Sequence, residues 1–142
     1  MIQPTGAPCQ TSQATGMALS IMAEVAGLLD ILANEGETGS IDLRSLPLTD
    51  ADRQQLEDLM GRGEVKAELV ISGDTTVWET SYPGAWWIRH HGAGGKISSE
   101  EISICPVPAI LAAHPADIEA AANRIKNTLT EINPSQAEAS NG

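Results

Sequence analysis

Apolar side chains recur along the chain in successive rhythms, and these rhythms predict its elements. Over residues 17–34 they fall at Ile21, Met22, Val25, Leu28, Leu29 and Leu32, the spacing of one face of a helix. Gly36 and Gly39 stop that helix. Residues 40–48 alternate at Ile41 and Leu43 before Leu46. This suggests a short extended segment, and Pro47 argues against a central position in a sheet. A second helix starts at Thr49. Thr is a good N-cap, Asp50 and Asp52 suit the positive end of the helix dipole, and Asp52 at the third helical position resembles a capping box. Leu56, Leu59 and Met60 form its apolar face, and Gly61 and Gly63 end it.

The period then shortens to two. Val65, Ala67, Leu69 and Ile71 alternate with Lys66, Glu68 and Val70, as in a half-buried strand. Gly73-Asp74 turns the chain into a strand over residues 75–80. Tyr82-Pro83-Gly84-Ala85 puts Pro and Gly at the central positions of a type II turn. A third strand runs over 86–91, a glycine-rich turn follows, and a fourth strand runs over 97–105 until Pro106 and Pro108 end it. Strands joined by short turns read as an antiparallel meander. A last helix begins near Pro115, carries Ile118, Ala121, Ala122, Ile125, Leu129 and Ile132 on one face, and breaks at Asn133-Pro134. Helix, strands, then helix is the order of an α+β domain. The prediction is an antiparallel β-meander of about four strands packed against two or three helices. It spans residues 16–133, between a flexible leader over 1–15 and a flexible tail over 134–142.

Composition narrows the function classes. The chain has 142 residues, which favours one domain with a real core. Eight Lys and Arg stand against 19 Asp and Glu, for a formal charge of −11. Nucleic acid and anionic membrane surfaces need clustered basic charge, so neither is an expected partner. The acids are spread along the chain and read as a solvated surface. Cys9 and Cys105 belong to no C-x-x-C pair, which fits a reducing cytoplasm. The start of the chain lacks the basic and apolar regions of a signal peptide. No run reaches 18 apolar residues, so no membrane span is expected.

The aromatic residues are three Trp and one Tyr, with no Phe, and all lie within Trp78–Trp87. Trp78, Tyr82, Trp86 and Trp87 on one hairpin suggest either a local core or a recognition surface, since such side chains combine large contact area with a polar handle. Adjacent strand residues point to opposite faces. If helices cover one face, one of Trp86 and Trp87 should be partly exposed and serve as a partner anchor. Other chemistry is thinner. His90 and His91 diverge and should not chelate one metal. Glu79 among aromatics is a candidate acid, and its plainer role is to pair with Arg89 across the hairpin. Cys105 needs a nearby base to be a nucleophile, and a buried, inert thiol is the simpler reading. His114 lies far from the other histidines in sequence. No nucleophile elbow, metalloprotease helix or P-loop motif occurs.

The segment Gly61-Arg62-Gly63-Glu64-Val65-Lys66-Ala67, the segment Trp78-Glu79-Thr80-Ser81-Tyr82-Pro83-Gly84-Ala85-Trp86-Trp87, and the later Val107-Pro108 pair resemble the C-terminal conserved region of the HupH/HyaF family of nickel-iron hydrogenase expression proteins. The recurring pieces are a G-x-G-E-V strand start and an E-T-x-x-P-G-V-W hairpin. Ala85 stands at the Val position, which leaves the turn chemistry intact. The resemblance covers the stretch from Leu46 to Leu111. It implies a cytoplasmic, non-catalytic accessory protein with no cofactor, assisting maturation of the uptake hydrogenase. The implied partners are the iron-sulfur small-subunit precursor and other maturation proteins. The implied contact residues are Trp78, Glu79, Thr80, Tyr82, Pro83, Gly84, Trp86 and Trp87. The alternative is a small metal-handling protein or enzyme using Glu79, His90, His91 or Cys105. Longer relatives carry more sequence upstream, so action alone, as a homodimer or beside a longer relative all fit.

Overall fold

A computed structural model describes residues 13–70 and 73–134. Cys9, Ile71, most of the expected leader and residues 135–142 of the tail lie outside the described residues. Three α-helices, α1 (Met17–Glu35), α2 (Asp50–Met60) and α3 (Pro115–Ile132), accompany five strands: β1 (Gly39–Asp42), β2 (Lys66–Leu69), β3 (Asp74–Glu79), β4 (Ala85–His91) and β5 (Ile97–Ile104). The strands form one antiparallel sheet in the order β1-β5-β4-β3-β2. The expected α+β meander is present, with one strand more than anticipated. That strand is β1, from the short segment before Pro47. It pairs only with β5, at the sheet edge, where the nearby proline does no harm.

The chain divides into two units, Met1–Pro108 and Ala109–Gly142. In the first, α1 and α2 cover one face of the sheet. Ala18, Ile21 and Val25 of α1 and Leu56 and Met60 of α2 join Ile41, Leu43, Trp78, Ala85, Trp87, Ile102 and Ile104 in one core. Trp78, Trp87, Ile102 and Ile41 stand directly opposite one another across four strands. By length and composition α1 is apolar enough to cross a membrane, with a mean hydropathy of 1.5. Here its Ala18, Ile21 and Val25 stripe is buried in the core.

The capping box at the start of α2 forms as its sequence specifies. Thr49 Oγ1 accepts from the Asp52 amide at 3.0 Å, and the Thr49 amide donates to Asp52 Oδ2 at 3.2 Å. Asp52 also ties in residues placed in the leader. The Thr15 amide donates to Oδ1 at 2.6 Å and Thr15 Oγ1 to Oδ2 at 2.7 Å. Burial would raise this carboxyl, but the bonds from Thr15 and Thr49 outweigh it and hold it below the ordinary carboxylate value.

In the second unit, α3 starts at Pro115 with His114 as N-cap, whose Nδ1 accepts from the Ala116 amide at 3.1 Å. All of its residues are exposed, the apolar stripe included.

Candidate functional site

The hairpin from Trp78 to Trp87 joins β3 to β4 through a hydrogen-bonded turn. The Ala85 amide donates to the Tyr82 carbonyl at 2.9 Å, closing a four-residue turn around Pro83 and Gly84. Gly84 has φ of 95°, which a side chain would strain. A Cβ there would also stand 3.1 Å from Leu29 Cδ2 of α1. The buried Thr80 braces the turn from inside, its Oγ1 donating to the Ala85 carbonyl at 2.8 Å and accepting from the Tyr82 amide at 3.2 Å.

The hairpin docks on the end of α2. The Ser81 amide and hydroxyl both donate to the Met60 carbonyl, at 2.9 and 2.6 Å, so a helix-end carbonyl is satisfied from outside the helix. The Gly63 amide donates to the Glu79 carbonyl at 2.7 Å, and the Glu79 amide returns a bond to the Val65 carbonyl at 2.9 Å. A Cβ on Gly63 would lie 2.7 Å from both Glu79 Oε1 and the Thr80 carbonyl oxygen. The glycine is therefore required by close backbone approach. Arg62, between the two glycines, lays its guanidinium 3.9 Å from the Trp78 ring centroid. The two sequence segments that carry the family resemblance are thus one structural joint.

Beneath the joint lies a charged network that the sequence reading missed. Trp78 and Trp87 stack with centroids 5.5 Å apart and planes within 9°. Trp87 Nε1 donates to Glu100 Oε2 at 2.8 Å, and Arg89 Nε donates to the same oxygen at 2.6 Å. Arg53 of α2 donates to the other Glu100 oxygen. Arg89 also reaches Glu57 of α2 at 2.9 Å, and Arg62 reaches Glu57 at 3.4 Å. Burial would lower the Arg89 guanidinium, but its bonds to Glu100 and Glu57 outweigh that and raise it further. Glu100 is 1% exposed, so two arginines and an indole N–H supply what a buried carboxylate needs. The signal was present in register: Arg89 and Glu100 share the inward parity of Trp87 and Ile102, and charged residues at inward positions of facing strands call for each other.

Several expectations are corrected here. Trp86 and Trp87 do point to opposite faces, yet both are buried, at 5% and 0% exposure. β4 is the central strand of five, and Trp86 is flanked in register by Glu79 and Ser103. Val77 and Ile88 on the same face are buried with it. The exposed-indole anchor is therefore absent, and the three tryptophans are core. Arg89 does not pair with Glu79. Glu79 stands opposite Trp86 and Arg89 opposite Thr76, which puts the two side chains on different faces. What the hairpin exposes is its tip, Ser81, Tyr82 and Pro83, with Tyr82 at 42%.

The other candidate residues take separate partners. His90 Nδ1 lies 2.6 Å from Thr75 Oγ1, and His91 Nδ1 lies 3.1 Å from the Gly95 carbonyl oxygen, across a bulge between the two histidines. The buried Cys105 Sγ is 3.4 Å from Ser103 Oγ. Among the described residues no three of His, Cys, Asp and Glu converge as metal ligands.

Residues 16–132 match the model of the HupH hydrogenase expression protein family, C-terminal conserved region. The chain belongs to this family. Hydrogenase expression protein HupH from Thiobacillus denitrificans ATCC 25259 shares the fold with a TM-score of 0.80 at 35% identity, over 84% of this chain and 99% of that one. The hydrogenase-1 operon protein HyaF of Escherichia coli (strain K12) is 29% identical over 64% of this chain and 32% of its own. The hydrogenase expression/formation protein HoxQ of Azotobacter vinelandii is 23% identical over 61% of this chain and 31% of its own. The chain thus spans about a third of the length of the two curated relatives. The joint between Gly61–Gly63 and the hairpin falls inside the stretch that the HupH family model matches.

Proposed function

We propose that this chain is a non-catalytic accessory protein in the maturation of a nickel-iron hydrogenase, acting in the cytoplasm by holding the iron-sulfur small-subunit precursor. The observation that carries this reading is the joint itself. The two motif segments spend their hydrogen bonds on each other and on the end of α2, which builds a rigid platform with a small exposed tip. Tyr82 and Pro83 offer an amphipathic ring beside a preset turn, and the half-exposed Arg62 guanidinium supplies donors nearby. This is the composition of a protein-contact patch, with a rigid aromatic anchor and polar neighbours. Glu79, Thr80 and Gly84 act in this reading by fixing the tip, and Trp78, Trp86 and Trp87 by supporting it. The names of the relatives, which concern hydrogenase expression and formation, support the choice of partner. The test is affinity capture with tagged chain from cells making the hydrogenase. The small-subunit precursor should be enriched over the mature enzyme. Enrichment of neither form of the small subunit refutes the proposal.

A further inference from the structure

We propose that α3 is a self-association helix, pairing with α3 of a second copy of this chain in antiparallel register. Its apolar positions Ile118, Ala122, Ile125, Leu129 and Ile132 are spaced alternately by four and three. That is the narrow seam of a coiled coil, not the broader stripe of a helix lying on a sheet. The four large members are exposed at 58%, 65%, 55% and 75%, so no described residue of the second unit covers the seam.

The seam and its flanks select both the occupant and the direction. In an antiparallel pair centred between Asn123 and Arg124, Ile118 meets the partner's Leu129, and Ala122 meets the partner's Ile125. Each small residue then faces a large one, as close packing requires. A parallel pair would instead set Ala122 against the partner's Ala122 and leave a gap. On one flank the seam carries Glu119 and Lys126. Only the antiparallel register places them beside each other across the interface, twice by symmetry. On the other flank Ala121 and Thr128 are small and let the backbones approach. In a parallel pair the charged flank would face those uncharged residues. Charge complementarity of the helix with its own reversed copy is the reason to commit to a second copy over an unrelated protein. The helix is about 27 Å long, and a seam of that length is small beside a standard stable interface. The dimer is accordingly dissociable, with a dissociation constant in the micromolar range.

Sedimentation equilibrium of the full chain over a concentration series tests this. A monomer–dimer equilibrium is expected. Ile125→Glu should give monomer at every concentration while leaving the melting temperature equal to that of wild type measured below its dissociation constant, because the side chain is exposed at 65%. Glu119→Lys and Lys126→Glu should each weaken the dimer roughly fivefold, the scale of two lost surface pairs. The double exchange should restore wild-type affinity. A wild-type chain that stays monomeric overturns the proposal. So does a dimer that survives Ile125→Glu, or a double exchange that restores nothing.

Discussion

Gly63 and Gly84 lack side chains for different reasons, and both reasons belong to the hairpin joint. Gly84 turns the chain at positive φ beneath α1, and Gly63 lets the start of the next segment touch the backbone of Thr80. Gly84→Val should lose about 1 kcal/mol or more from the backbone alone, before any contact with Leu29 is counted. Gly63→Ala meets a carbonyl oxygen that cannot swing aside, so its loss should be at least as large. Thermal melts of both variants check this, and an unchanged melting temperature for Gly63→Ala would contradict the joint. The tryptophans give a finer comparison. Trp86→Ala and Trp87→Ala should each destabilise by roughly 3 to 5 kcal/mol, since both are core. Conversion to Phe should separate them. Trp87→Phe withdraws a donor from the buried Glu100 carboxylate, at a further cost of about 1.5 to 3 kcal/mol. Among the described residues the Trp86 indole N–H has no acceptor, so Trp86→Phe gives up only packing. Urea denaturation of the two Phe variants reads the difference. Equal losses would show that the indole bond to Glu100 contributes nothing.

Elements were legible in the sequence wherever one physical signal governed them. Helix starts at Thr49 and Pro115 and the turn at Pro83-Gly84 rest on local chemistry, and all stand where the residues specify. β1 was harder to read because four residues carry little periodicity, and its partner β5 lies about sixty positions away in sequence. The site was half legible. The motif segments marked a stretch that folds into one joint, but burial of Trp86 depends on what covers the second face of the sheet, and the Glu100 network depends on long-range register. Neither quantity is local. The tie between the Thr15 segment and α2 escaped for the same reason and makes a prediction about pH. The folded state holds the Asp52 carboxyl below its unfolded value of about 3.9, so its contribution is complete above that value and is lost as pH falls through the folded one. Asp52→Asn should therefore be less stable than wild type at neutral pH, and the gap should narrow as pH drops below about 4. Parallel melts across that range measure it, and a gap that stays constant would remove Asp52 as the cause.

At the scale of the whole molecule, a strongly acidic chain presents a braced hairpin on one unit and an amphipathic helix on the other. As proposed, the hairpin binds the hydrogenase partner and the helix a second copy, so the two can be tested separately. Ile125→Glu should abolish self-association and leave partner capture intact. Tyr82→Ala should do the reverse. Tyr82 is substantially exposed, so the substitution should change the stability by no more than about 0.5 kcal/mol. The measurement that bears most directly on the account is a titration of purified small-subunit precursor into wild-type chain and the Tyr82→Ala variant. The account predicts saturable one-to-one binding for the wild type and a loss of about 2 kcal/mol, some thirtyfold, for Tyr82→Ala. Equal affinity for the two chains, or no binding by the wild type, would contradict it.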